Sequence, residues 1–162
     1  MGLDIQSGAL NVPHATQLHA LNSLHRIHRG QGNYARFVKY DPAETTLLPD
    51  LEIGEPVGLK NANVLLATAD LSDSKKNKLV GALMAIPTAA SPFVFVLCKG
   101  RGSDHSVSLA TDTNLVDGAA IDWAADRVFG IAAAAGESQG VAEADDAAAV
   151  LASFYLDTTY GG

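Results

Sequence analysis

Four of the five histidines in this 162-residue chain fall within its first 28 positions: His14, His19, His25 and His28. Histidines three residues apart, as His25 and His28 are, share one face of a helix and can ligate a metal there. Here Arg26 and Arg29 flank the pair, and residues 14–40 hold neither a carboxylate nor a cysteine. Two guanidinium groups beside the site oppose a divalent cation. The segment therefore reads as a basic contact surface built from His25, Arg26, His28, Arg29, Tyr34 and Arg36, with no metal.

The other chemistry-bearing patterns are weaker. Asp104, His105 and Ser106 have the residue types of a nucleophilic relay, but consecutive residues point to different sides of a strand and cannot form one. Lys99-Gly100-Arg101-Gly102 places glycines beside two cations without the spacing of a phosphate-cradling loop, and it reads as a tight turn. The clustered carboxylates Glu143, Asp145 and Asp146, with Asp122 and Asp126, read as an exposed acidic face, and no calcium-loop pattern occurs. Cys98 closes an apolar run and has no partner cysteine, so it is expected to be a buried, inert thiol of a protein folded in a reducing compartment. No catalytic centre and no cofactor are expected.

Charge narrows the partners. The net charge is -7, from 11 Lys and Arg against 18 Asp and Glu. Residues 1–40 carry four cations against Asp4 alone, +3. Residues 41–101 carry six against seven, -1, and residues 102–162 carry Arg127 against ten carboxylates, -9. A basic N-terminal part thus precedes an acidic half. The stretch 25–40 mixes cations and aromatics as single-strand nucleic-acid binders do, but the rest of the chain would repel phosphates, so no direct nucleic-acid partner is expected. Residues 1–17 show no basic region followed by an apolar run, and no apolar stretch reaches ~18 residues, so neither a secretory signal nor a membrane span is expected. Length fits one domain, and composition excludes collagen, coiled coil and low complexity.

The elements that must position these residues are short. Ala15, Leu18, Leu21, Leu24 and Ile27 recur every third residue before Gly30, which predicts a short helix or an arm ordered only on a partner. From Asn33 the pattern becomes β-like. Strands are expected at 34–40, 57–59, 64–68, 79–86, 93–99, 106–109, 120–123, around 127–132 and at 150–156, with a brief alanine-rich helix at 144–149. The fold expected is mainly β: a small antiparallel β-sandwich or barrel over residues 33–162, preceded by an N-terminal arm, residues 1–32, containing the short helix. Such an arm should be removable without unfolding the rest.

The half from Leu79 onward runs Leu79-Val80-Gly81-Ala82-Leu83, then a small-residue loop, an aromatic-rich strand ending at Gly100, the turn Asp117-Gly118 and Val128-Phe129-Gly130-Ile131-Ala132. This succession resembles the small decoration (cement or head-fibre base) proteins of tailed-bacteriophage capsids. The resemblance covers about half of the chain. It implies a non-enzymatic structural protein of the virion surface, made in the host cytoplasm. Its partner would be the major capsid protein lattice, with the chain itself a homo-oligomer, dimer or trimer, that bridges coat subunits. Another phage structural subunit (coat, tail or adaptor) and a cellular β-domain that binds a ligand or protein are the alternative readings.

Overall fold

The structure is a computed structural model, and it describes residues 7–27, 32–44, 50–60, 65–70, 79–112, 114–132, 138–147 and 149–158. The chain is mainly β, as its alternating patterns require. In order, the strands are β1 (Ser23–Arg26), β2 (Tyr34–Tyr40), β3 (Pro56–Leu59), β4 (Leu66–Thr68), β5 (Leu79–Leu83), β6 (Phe93–Arg101), β7 (Leu109–Ala110), β8 (Ala120–Ala125), β9 (Val128–Ile131), β10 (Gly140–Ala142), β11 (Val150–Leu151) and β12 (Phe154–Asp157). One four-residue helix, α1 (Ser7–Leu10), precedes them.

Ten strands form one sheet in the order β1-β2-β4-β3-β5-β6-β12-β10-β8-β9. An additional β2–β6 pairing closes the five strands β2, β4, β3, β5 and β6 into a barrel. The β2–β4 contact is parallel and the other contacts around the barrel are antiparallel. Five strands enclose a narrow space, which suits the small and branched side chains the sequence supplies. Val38, Tyr40, Val57, Ala67, Val80, Leu83, Val94 and Val96 form one buried cluster there.

β6 reads FVFVLC because both of its faces are buried. Val94 and Val96 join the barrel cluster, while Phe95 and Leu97 join a second, larger cluster on the barrel's outer wall with Ala35 and Phe37 of β2. The later strands complete that second core with Trp123, Phe129, Phe154 and Leu156. Trp123 is fully buried and its indole N–H donates to the Ala125 carbonyl at 2.7 Å, so no polar atom is stranded. Gly81 inside β5 is required by sterics. Its φ is +152°, and a Cβ there would stand 2.2 Å from the Leu97 carbonyl oxygen.

The N-terminal segment departs from expectation. No helix spans 14–27. The helix that does occur, α1, lies ahead of the periodic leucines, and Ser23–Arg26 pair with β2 as a strand. Three-residue spacing drifts around a helix and makes no single apolar stripe. The outcome is that Leu18 and Leu24 are exposed while Ile27 is buried. Nor is the described part of this segment a separable arm: Leu10 and Ile27 belong to the larger core, and His14 exchanges backbone hydrogen bonds with Phe93. At the other end, residues 144–147 are not helical. The Asp146 carboxylate instead accepts bonds from the Thr111 hydroxyl and the Leu115 N–H, which holds the segment against the 111–115 loop. The strand expected at 150–156 is split into β11 and β12, and that expected at 106–109 begins only at Leu109 after a 3-10 turn at Gly102–Asp104. Among the described residues no helix is long and apolar enough to cross a membrane.

Candidate functional site: a basic strand edge

Strand β1 is half-buried, and alternation decides what it shows. Leu24 and Arg26 are exposed, whereas His25 between them is buried. In the antiparallel register Leu24 stands opposite Arg36, His25 opposite Ala35 and Arg26 opposite Tyr34. Directly opposed residues share a face. Leu24, Arg26, Tyr34 and Arg36 therefore form one surface of two cross-strand pairs, and His25 points to the other side. Of the six residues expected to make a contact surface, three (Arg26, Tyr34 and Arg36) come together here. His28 and Arg29 lie outside the described residues.

His25 is corrected from a surface contact to a packing residue. Its ring lies 4.5 Å from that of His19 and edge-on to Phe95 at 5.8 Å. Its Nε2 meets the Ser23 hydroxyl at 2.6 Å, and its Nδ1 is buried without a partner. Burial, with the neighbouring His19 adding to it, pushes its pKa below the usual histidine range. His14 joins this group, edge-on to Phe95, with Nε2 2.9 Å from the Ala9 carbonyl. Together the three imidazoles cap the phenylalanines of β2 and β6 with partly polar rings.

The electrostatics set the strand pair apart. Lys60 pairs with Asp41 and Glu44, Lys99 with Asp157, Arg101 with Glu143, and Arg127 with Glu55. Among the described residues, only Arg26, Arg36 and Lys39 have no carboxylate within ion-pair distance. All three are on β1 and β2. Arg36 is anchored by an Nη1 bond to the Asn22 side-chain oxygen at 3.1 Å, and Lys39 lies over the Phe93 ring at 5.8 Å. Neither contact neutralises charge. Arg26 and Arg36 make the face they share with Leu24 cationic in a chain that is acidic as a whole, whereas Lys39, three residues beyond Arg36, is on the opposite face of β2.

The remaining candidates are structural. Asp104 and His105 both turn to Asn33, whose side-chain N–H group donates to Asp104 at 2.9 Å and meets His105 Nε2 at 3.0 Å. An accepting Nε2 requires the neutral ring, in keeping with the downward pKa shift that burial gives His105. Cys98 is fully buried and its thiol is pushed up to about 12, chiefly by burial. It donates to the Tyr34 carbonyl at 3.2 Å, and the thiol form is favoured there. No group of three or more metal-ligating side chains occurs among the described residues.

Sequence reasoning missed Leu24 as a member of this surface, because the three-residue spacing grouped it with Ile27, which is buried. No protein-family model matches the chain, and no curated protein matches it.

Proposed function

We propose that the chain is a non-enzymatic structural protein that binds the exterior of an assembled viral capsid and bridges its coat subunits. One observation carries the reading to a particular surface: Arg26 and Arg36, two of the three described cations without a carboxylate partner, share one face of the β1–β2 pair with exposed Leu24. A surface that is apolar at one point and uncompensated in charge around it suits an acidic macromolecular partner. The resemblance of the Leu79–Ala132 half to capsid decoration proteins supplies the kind of partner. Binding a lattice but not its free subunits would stabilise the lattice by mass action, and many copies would add avidity.

The test is co-sedimentation of the purified chain with mature shells and, separately, with unassembled coat protein. Preferential binding to shells, weakened by Arg26→Glu and by added salt, is the expected result. Equal binding to free subunits, or no binding to shells, would overturn the reading.

A further inference from the structure

We propose that the outer edge of β1 receives an extended, carboxylate-bearing segment of the partner as an added strand. This deepens the capsid reading and rests on it for the partner's identity, while the recognition chemistry comes from the edge itself.

β1 ends the ten-stranded sheet, with β2 as its one neighbour in the strand order. The Ile27 N–H donates to the Asn33 carbonyl at 3.0 Å, and that bond sets the phase of the β1–β2 ladder. Antiparallel ladders alternate. Counting back, His25 and Ala35 are a bonded pair, whereas Arg26 with Tyr34 and Leu24 with Arg36 are non-bonded pairs. The N–H and C=O groups of Leu24 and Arg26 therefore aim away from β2. Neither residue's backbone finds a partner among the described residues. That leaves two donors and two acceptors in line on an edge that no described strand covers. The edge carries no proline to block pairing.

Side chains specify the occupant. A strand added here places alternate residues over the face that holds Leu24, Arg26 and Arg36. It thus needs an apolar residue opposite Leu24 and a carboxylate two positions away, opposite Arg26. A second copy adding its own β1 edge to edge would bring Arg26 and Arg36 of both chains together with no carboxylate between them. The cationic surplus selects an acidic segment instead. Backbone bonds supply the affinity and the alternating side chains the selectivity, as in other strand-addition interfaces.

The experiment is amide hydrogen exchange on the full chain, free and bound to assembled shells, with Leu24→Pro and Leu24→Ala measured beside it. Strand addition slows exchange at Leu24 and Arg26 by at least about tenfold, and leaves His25, already bonded to β2, unchanged. Leu24→Pro removes an edge N–H without touching the β2 ladder, so its Tm holds while shell binding weakens by at least about tenfold. Leu24→Ala keeps the N–H and loses less. If Leu24→Pro lowers Tm, the exchange pattern and Leu24→Ala decide. Shell binding with unprotected Leu24 and Arg26 amides would overturn strand addition and leave the capsid reading standing.

If shells do not bind, the capsid reading fails. The same two amides are then followed against a blocked peptide of alternating threonine and glutamate carrying one valine. Protection supports strand addition by another acidic partner, and its absence overturns that too. Equal protection by the lysine-for-glutamate peptide, or protection that grows with protein concentration alone, would overturn the acidic occupant.

Discussion

The imidazoles of His19 and His25 lie 4.5 Å apart, centre to centre, and His25 is buried with its ring edge-on to Phe95. Two rings so placed cannot both be charged cheaply. The folded pKa of His25 is held below its ordinary 6.5, so the unfolded chain binds its proton first as pH falls. Stability from this site is complete above pH 6.5 and is lost as pH drops from there towards the lowered folded value. His105 shifts in the same direction by burial and adds to the slope. Urea unfolding at pH 7.5 and at pH 5 should give the lower midpoint at pH 5. His25→Leu should flatten that difference, leaving the His105 share.

Arg127 joins the β8–β9 turn to the barrel by donating from Nε and Nη2 to one oxygen of buried Glu55, at 2.8 and 2.6 Å, and from Nη2 to the Asp50 carbonyl. Glu55 is 2% exposed, and removing its partner strands a carboxylate. Arg127→Ala should cost about 3–5 kcal/mol in urea unfolding, and adding Glu55→Gln should recover part of it. Equal stability of Arg127→Ala and the wild type would show that the pair is not a staple.

Deleting residues 1–22 should abolish cooperative thermal unfolding. The deletion removes Leu10 from the larger core, uncovers Phe37 and Phe95, and breaks the backbone bonds between His14 and Phe93. Leu10→Ala alone should cost about 2–5 kcal/mol, since the side chain is 1% exposed. A deletion that melts with the wild-type midpoint would restore the view of residues 1–32 as an appendage.

Gly81→Ala should destabilise strongly, with a lowered urea midpoint. The methyl group would meet the Leu97 carbonyl oxygen of β6, a backbone atom that cannot turn aside, and φ is unfavourable besides. Gly118→Ala, at φ +81° but with open space around it, should cost less. The contrast separates steric from conformational cost.

Much of the fold was legible because alternation is local. The residues 34–40 and 93–99 declared β2 and the greater part of β6 through neighbours two positions apart. The N-terminal segment misled for the same reason. Its three-residue spacing is a local pattern too, and nothing within 14–30 reveals that Phe37 and Phe95 wait to be covered by its histidines.

Composition and order along the chain were enough to establish a mainly β protein with its cations early and its carboxylates late. They also placed Arg26, Tyr34 and Arg36 in one basic stretch. Which cations remain uncompensated depended on folding, because ion pairs form between residues far apart in sequence. Arg101 meets Glu143 42 positions on, Lys99 meets Asp157 58 on, and Arg127 meets Glu55 72 back. The carboxylate-rich last third is consumed in part by these partners, and none of its described carboxylates pairs with Arg26, Arg36 or Lys39. Closure of the barrel through β2 and β6 is likewise a long-range pairing. It makes β2 a wall with a core on each side, and it leaves β1 at the rim of the sheet.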